Sequence, residues 1–280
     1  VCKNEEIGLL VSLFDQDLLF LSENKDILER IGVLVVVSAG DVIRLCFDKL
    51  TYNEFSSSIQ LKPIKTMKSL EKAVEAIECG ELKFPLILKP RWGTGSIATE
   101  VVDDFDELAF MYKRLSRALK KSYISIASSN GSNIILIQQK LVGVEYGLDI
   151  VNNFNGDFVT CFAKRKIGMR SGETDSAITV SKNELFEVGR KISDKLRHIG
   201  LVDVDIMETK DHEYYILDIN PRFGGGYPFS HIAGANIPAA IINWAEGKDV
   251  NPEWLMVKTN IMGSKGICMF QTELAKEESD

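Results

Sequence analysis

Two runs of sequence decide the fold of this chain, VDVDIM at residues 202–207 and YYILDINPR at residues 214–222. Polar turn formers separate the two apolar runs, which predicts a β-hairpin. In that hairpin Asp205 and Asp218 lie side by side, and Asn220 shares the face of Asp218 because side chains alternate along a strand. Mg²⁺ prefers hard oxygen ligands of this kind. The pattern predicts a magnesium site at the strand ends, although an ordinary hairpin with polar ends would show the same residues.

A second motif, LILKPRWGTGSI at residues 86–97, leads from an apolar strand through a lysine into a glycine-containing loop. Lys89 precedes the loop, so it can meet a phosphate over which the loop folds. Gly93 and Gly95 allow the backbone amides to turn inward around an anion, and the small Ser96 keeps the approach open. The spacing is not that of a Walker loop, because the lysine precedes the glycines. A surface hairpin loop remains the alternative for this motif alone.

Arg222 and the glycine run that follows it, FGGGYP at residues 223–228, indicate a second anion site. Three glycines let the backbone approach an anion, and the predicted helix after them supplies unpaired amides at its start. The planar guanidinium of Arg222 can hold a carboxylate or a phosphate through paired hydrogen bonds. We therefore favour an acceptor or acyl-phosphate pocket here over a flexible loop demanded by a tight turn.

The ordered set of motifs resembles the ATP-grasp superfamily, most closely the branch of the carbamoyl-phosphate synthase large subunit and its stand-alone relatives, over about residues 7–245. The resemblance implies an α/β ATP-grasp fold, with two lobes that clamp a nucleotide. It implies metal binding, to Mg²⁺ or Mn²⁺, by Asp205, Asp218 and Asn220, and catalytic roles for Lys89, Arg170 and Arg222. The residues that it assigns to ATP are Lys49, Lys89, Gly93, Gly95, Ser96, Gln138, Gln139, Leu141, Glu145, Lys164 and Lys166.

Two positions depart from the family pattern. Gln138 and Gln139 stand where Glu-Lys is frequent, but the family reads adenine there mainly through backbone groups, so binding should survive. Asp218 stands where Glu is common and is one methylene shorter, which leaves the geometry of two metal ions less defined. The basic run at residues 164–170 can also be a solvated face, and only the resemblance favours a functional role for it.

The resemblance also divides the chain. Residues 1–48 are predicted to be the C-terminal part of a truncated, doubly wound α/β domain that precedes the ATP-grasp unit. Residues 49–280 are predicted to form that unit. Within it we expect a small lobe at about residues 62–137, a linker at residues 138–141 and a large lobe at residues 142–280.

Local signals predict several caps and turns. Ser69 and Asp103 are predicted to cap helices. The run NNFNGD at residues 152–157 predicts a tight hairpin, because Asn-Gly accepts positive backbone angles. Residues 121–133 are rich in Ser and Asn and predict a loop. His198 lies near a predicted helix C-terminus, where a cation is favoured, so we expect a structural role for it.

Composition excludes some functions. The net charge is −7, which argues against a nucleic-acid partner because phosphate backbones are bound by basic surfaces. No apolar stretch approaches the roughly 20 residues that span a bilayer, so no membrane partner is expected. The five cysteines are scattered without CxxC spacing, which makes a disulfide framework or a zinc site improbable. These features predict a cytoplasmic protein, for which a homodimer is open.

Together these observations predict an ADP-forming carboxylate–amine ligase that makes an acyl-phosphate intermediate from ATP, a small carboxylate and an amine. Two alternatives stay open at the level of sequence. One is a nucleotide-binding or regulatory ATP-grasp module without turnover. The other is a bicarbonate-phosphorylating unit like that of carbamoyl-phosphate synthase.

Overall fold

The structure is a computed structural model that describes residues 1–93, 98–119, 134–170 and 172–268. The predicted nucleotide residues Gly95 and Ser96, and the whole of the predicted polar loop at residues 121–133, lie outside the described residues. None of the described helices is long and apolar enough to cross a membrane.

The N-terminal unit, residues 1–47, is built on a parallel pair of strands. Its elements are β1 (Leu9–Val11), α1 (Asp15–Glu23), α2 (Lys25–Glu29), β2 (Leu34–Val36) and α3 (Gly40–Phe47). β1 and β2 pair in parallel, which requires the helical crossover that α1 and α2 provide. Leu18 and Ile43 of the helices pack on Val35 and Val37, so this unit has a small apolar core of its own.

Helix α4 (Lys49–Ser58) connects this unit to the rest of the chain. Asp48 caps it, because its carboxylate accepts hydrogen bonds from the Leu50 amide at 3.0 Å and from Thr51 Oγ1 at 2.9 Å. The same carboxylate binds Arg91 through two guanidinium nitrogens at 2.7 and 2.6 Å. The start of α4 is therefore fixed against the strand that carries Lys89.

The small lobe is a four-stranded antiparallel sheet with two helices. Its elements are β3 (Thr66–Met67), α5 (Leu70–Glu78), β4 (Leu86–Pro90), β5 (Glu100–Val102), α6 (Phe105–Leu119) and β6 (Ile135–Gln139), and the strand order is β3-β6-β4-β5. Ser69 caps α5 as predicted, accepting from the Lys72 amide at 3.3 Å. The predicted Asp103 cap is wrong by one residue, because it is Asp104 that accepts the Glu107 amide, at 2.9 Å.

The large lobe is a six-stranded antiparallel sheet. Its elements are β7 (Gly143–Asn152), β8 (Phe158–Arg170), β9 (Glu173–Val180), α7 (Asn183–Leu196), β10 (Gly200–Thr209), β11 (Tyr214–Asn220), α8 (Tyr227–Ile232), α9 (Ile237–Ala245) and β12 (Met262–Ser264). The strand order is β11-β10-β7-β8-β9-β12. Both predicted hairpins form, one between β7 and β8 and one between β10 and β11.

Alternation along these strands gives the large sheet two different faces. Leu148, Ile150, Val202 and Val204 are fully buried on one face, where α7 and α4 cover them. The other face of the sheet is turned towards the small lobe. It carries most of the polar site residues that the sequence predicts. Its polar residues are Glu145, Asp149, Lys164, Lys166, Asp203, Asp205, Asp218 and Asn220.

A β-bulge at Leu217 interrupts the alternation in β11. Asp205 pairs with Asp218, whereas the next residue, Ile206, pairs with Ile216. Leu217 therefore has no partner in the ladder, and its carbonyl is free to accept a hydrogen bond from the Tyr52 hydroxyl at 2.6 Å. The extra residue keeps Asp218 on the polar face, while Ile216 before the bulge and Ile219 after it reach the core.

His198 is buried two residues after the end of α7, and its Nε2 donates a hydrogen bond to the Ile150 carbonyl at 3.1 Å. Burial lowers the pKa of His198 to about 4, although that hydrogen bond opposes the shift. The predicted structural role agrees with this setting. The positive charge that a helix C-terminus favours is absent near pH 7. Desolvation of the buried ring outweighs the attraction of the helix C-terminus for a cation and keeps His198 neutral.

We expect His198 to make folding sensitive to acid. The unfolded chain binds a proton on this residue below pH 6.5, whereas the folded chain resists until about pH 4. The contribution is therefore complete above pH 6.5 and is lost as the pH falls towards 4. Between pH 7 and pH 5 the wild-type chain should lose about 2 kcal/mol more of its free energy of unfolding than His198→Gln, which keeps a donor for Ile150. Urea unfolding at several pH values tests this, and equal pH slopes for the two chains would contradict it.

Candidate active site

A cleft of 1260 Å³ separates the two lobes and reaches the N-terminal unit. Ile87 and Lys89 of β4 form its wall on the small-lobe side, and the polar face of the large sheet forms the opposite wall. Asp15 of α1 and the glycine run 224–226 close one end. The cleft therefore collects residues from all three parts of the chain.

Lys49 of α4 contacts both the small lobe and the large lobe at one side of the cleft. Its ammonium group donates a hydrogen bond to the Gly93 carbonyl, at the start of the predicted glycine loop. The same nitrogen lies 3.8 Å from Asp218 Oδ1. Because Lys49 is the first residue of α4, the Asp48–Arg91 pair that fixes this helix also fixes the lysine. The predicted phosphate lysine thus contacts both the loop and a predicted metal ligand.

Lys89 points into the same space from β4. Its side-chain nitrogen lies 3.5 Å from the Leu217 carbonyl oxygen. Burial and the nearby charge of Lys49 lower the pKa of Lys89 to about 7, against the opposing effect of Asp218. An anion placed beside Lys89 would favour the charged form of this lysine. The arrangement suits a phosphate group.

Lys166 bridges two carboxylates on the large-lobe wall. Its side-chain nitrogen lies 2.6 Å from Glu145 Oε1 and 2.6 Å from Asp205 Oδ1. Burial alone would lower the pKa of Lys166, but the two carboxylates outweigh it and raise the pKa above its ordinary value. Lys166 therefore stays charged and holds Asp205 at the edge of the predicted metal site.

The predicted metal ligands form one row across β10 and β11. Asp205 and Asp218 are direct cross-strand partners, and the Asn220 amide nitrogen lies 3.4 Å from Asp218 Oδ2. The oxygen Oδ1 of Asn220 is buried and has no hydrogen-bond partner among the described residues. Leaving such an oxygen unpaired is costly, and a bound cation would satisfy it. The donor set therefore fits Mg²⁺.

This set is incomplete without a further ligand. Within the described ranges, no group of three or more His, Cys, Asp or Glu side chains is placed to hold a metal ion. Asp205, Asp218 and Asn220 supply two carboxylates and one amide oxygen. Mg²⁺ usually keeps several waters or binds substrate phosphates alongside one or two carboxylates, so this donor set matches a cation that arrives with a nucleotide.

Asp203 is a cleft residue that our sequence reasoning did not assign. It is two residues before Asp205, pairs across the sheet with Asn220 and Asp149, and lines the same wall. Burial and the neighbouring Asp205 raise the pKa of Asp203 to about 7. The strict alternation of the VDVD run is the signal that could have revealed it, because residues two apart share a face.

Lys164 is placed deeper than a solvated basic face would be. Its side chain is 1% exposed, and its nitrogen lies 2.6 Å from Asp149 Oδ2, which also accepts from the Ser230 hydroxyl. A Cβ atom on Gly226 would lie 2.7 Å from Lys164 Cε, so the glycine run can cover this lysine only without a side chain. The close approach of the backbone to Lys164 therefore explains why residue 226 is a glycine.

Arg222 forms a bidentate ion pair with Asp15. Its Nε lies 2.7 Å from Asp15 Oδ1, and its Nη2 donates to Asp15 Oδ2 at 2.7 Å. The Nη1 atom donates to the Phe223 carbonyl at 3.0 Å. Both side chains of the pair are largely buried and line the cleft. Nothing in the sequence pointed to Asp15, which lies 207 residues from its partner.

Several predicted residues lie apart from the cleft lining. The guanidinium of Arg170 is half exposed and pairs with Asp175 at 2.5 Å. Gln138 is buried and donates to Thr66 Oγ1 at 2.7 Å. Gln139 and Leu141 follow it at the end of β6, and neither side chain lines the cleft. The assignments of these four residues remain predictions.

Comparisons with known proteins agree with this geometry. A family model described as "ATP-grasp in the biosynthetic pathway with Ter operon" matches residues 132–262. The carbamoyl phosphate synthase large chain of Pseudomonas putida is 26% identical over 212 residues, which are 72% of this chain and 18% of that protein. This chain therefore spans less than a fifth of that relative.

Solved structures show the same fold. The biotin carboxylase of Campylobacter jejuni, in a complex described as β-γ-ATP, matches with a TM-score of 0.73 at 16% identity, over 93% of this chain and 59% of that one. The biotin carboxylase domain of the Hydrogenobacter thermophilus 2-oxoglutarate carboxylase, with MgADP and bicarbonate, matches with a TM-score of 0.72 at 16% identity, over 93% of this chain and 58% of that one.

The chain has an α/β fold with a cleft between two lobes, its residues 132–262 match the ATP-grasp family, and carbamoyl phosphate synthase large chains are among its sequence relatives. The fold class and the superfamily predicted from the motifs are thereby confirmed.

We expect a side chain at Gly224 to destabilise the fold, because there is no room for a Cβ atom beside Asp203. A Cβ atom on Gly224 would lie 2.2 Å from Asp203 Cγ, so Gly224→Ala must displace either the loop or the carboxylate. Overpacking of this kind should lower the free energy of unfolding by about 1–3 kcal/mol. Gly225→Ala is the matched control, because its nearest atoms lie 3.5 Å away. Urea unfolding of both variants tests the contact, and equal losses would contradict it.

Proposed function

We propose that this chain is an ATP-dependent ligase that activates a small carboxylate as an acyl phosphate, joins it to an amine and releases ADP and phosphate. One observation carries the proposal. The unpaired oxygen of Asn220 and the carboxylates of Asp205 and Asp218 lie in the same cleft as Lys49 and Lys89, and the Lys49 nitrogen lies 3.8 Å from Asp218 Oδ1. Cation ligands beside phosphate-binding lysines are what phosphoryl transfer requires.

The proposed reaction has two steps. First, a carboxylate oxygen of the substrate attacks the γ-phosphorus of ATP, and the bond from that phosphorus to the β,γ-bridging oxygen breaks, so ADP leaves. Second, the amine nitrogen attacks the acyl carbon, the bond from that carbon to the phosphate oxygen breaks, and phosphate leaves. The amine loses one proton, and the product is an amide. No residue of the protein becomes covalently attached to the substrate.

Each group in the cleft has a place in this scheme. Lys49 and Lys89 neutralise the phosphates, and Lys49 also secures the Gly93 end of the loop. Lys166 orients Asp205. Mg²⁺ held by Asp205, Asp218 and Asn220 would offset the charge of the β- and γ-phosphates when nucleotide is bound. Arg222, two residues beyond Asn220, places a guanidinium where a carboxylate substrate can approach the γ-phosphate.

We expect magnesium-dependent ATP binding that relies on the β11 ligands. Asp218→Ala and Asn220→Ala should each weaken binding of ATP with Mg²⁺ by about tenfold or more and abolish ADP formation, because each removes an oxygen ligand. Asp211→Ala, in the exposed turn before β11, is the control and should bind as the wild-type chain does. Calorimetric titration with and without Mg²⁺ measures this, and wild-type affinity in both ligand variants would place the metal elsewhere.

We expect Arg222 to act on the carboxylate rather than on ATP. Arg222→Lys removes the planar fork, so turnover or carboxylate affinity should fall by about tenfold, or roughly 1.4 kcal/mol, with ATP affinity nearly unchanged. Arg44→Lys, which alters an exposed arginine paired with Glu23, is the control. Steady-state kinetics with each substrate varied in turn separates the two effects. A loss confined to ATP binding would place Arg222 at the nucleotide.

A further inference from the structure

One end of the cleft is apolar. Phe223, Pro238 and Ile242 line it from the large lobe, and Val11 and Phe14 line it from the N-terminal unit. The side chains of Ile242 and Phe14 are 50% and 54% exposed, although both face a concave site. Exposed apolar side chains inside a cleft gain free energy when an apolar ligand group covers them, at about 25 cal/mol per Å² of buried area.

The position of this apolar end within the fold also suits a ligand. Phe14 and Asp15 follow the carboxyl end of β1, which runs parallel to β2. In α/β units, ligands bind in the crevice outside the carboxyl ends of parallel strands. From the other side Phe223 follows Arg222 directly, and its ring packs against Tyr227 with centroids 4.7 Å apart. Phe14 and Phe223 therefore adjoin the Arg222–Asp15 pair along the chain, one on each side of it.

That ion pair selects the charge of a ligand. Arg222 is neutralised by Asp15 through two contacts of 2.7 Å, so the end of the cleft offers one cation and one anion side by side. A simple anion that pairs with Arg222 competes with Asp15 for the guanidinium and adds a second negative charge beside that carboxylate, which is costly in a largely buried site. A ligand that carries an ammonium group and a carboxylate on one carbon atom can pair with Arg222 and Asp15 together.

We propose that the carboxylate substrate of this chain is an α-amino acid with an apolar side chain. This inference rests on the proposed function and specifies its substrate. The α-carboxylate pairs with Arg222, the α-ammonium group pairs with Asp15, and the side chain packs against Phe14, Phe223 and Ile242. Bicarbonate has neither the ammonium group nor the apolar part, and it would leave these surfaces unused.

Direct binding to the full chain tests the proposal. Calorimetry would compare L-leucine with L-glutamate, bicarbonate, 4-methylpentanoate and 3-methylbutylamine, each with a non-hydrolysable ATP analogue and Mg²⁺ present. The last two are leucine without its ammonium group and without its carboxylate. We expect leucine to bind at least tenfold more tightly than each of the other four compounds.

Two variants test the apolar contact and the ammonium contact of the pocket separately. Ile242→Ser should weaken leucine binding severalfold, whereas Ile232→Ser should not, because Ile232 is also exposed but lies outside the cleft lining. Asp15→Asn should reduce the preference for leucine over 4-methylpentanoate. A merely structural role of Asp15 would weaken both ligands equally and leave that preference intact.

The outcomes separate this inference from the proposed function. If ATP and Mg²⁺ bind but leucine binds no better than glutamate, bicarbonate or 4-methylpentanoate, the inference is overturned and the ligase proposal stands. If leucine binds as expected and nucleotide does not, the pocket assignment is supported and the ATP-dependent reaction is overturned. Wild-type leucine affinity in Ile242→Ser would also overturn the proposed pocket.

Discussion

Charge pairing on one face of the large sheet is the constraint on which the site depends. That face carries acidic and basic side chains at alternating positions, and burial makes each of them costly unless a partner lies beside it. Lys164 pairs with Asp149, and Lys166 pairs with both Asp205 and Glu145. These pairs hold the wall in one arrangement. Asn220 also lies on this face, and its buried oxygen Oδ1 has no hydrogen-bond partner among the described residues, so a ligand can bind it.

The parts of the site that follow from local pattern could be predicted from sequence. The hairpin that aligns Asp205 with Asp218, and the strand that delivers Lys89, depend on periodicity and turn residues within a few positions. The alternation of Asp203 with Asp205 carried the same information for a further carboxylate. Period-two patterns fix which residues share a face, and a sheet with one apolar face leaves no freedom in the register.

Contacts between distant segments could not be predicted in this way. The pairing of Asp15 with Arg222, and that of Asp48 with Arg91, depend on how separate units pack, and each partner alone looks like an ordinary surface charge. The basic run at residues 164–170 illustrates the same limit. Lys164 and Lys166 point into the cleft while Arg170 pairs with Asp175 outside its lining, and only the three-dimensional course of β8 distinguishes them.

The bulge at Leu217 gives the two lobes a mechanical connection. Its displaced carbonyl accepts the Tyr52 hydroxyl and lies 3.5 Å from the Lys89 nitrogen of the small lobe. The neighbouring residue in the chain is Asp218. The small-lobe lysine and the predicted metal ligand Asp218 are therefore joined through a single backbone carbonyl, so the bulge links the phosphate-binding strand to the cation-binding strand without any side chain between them.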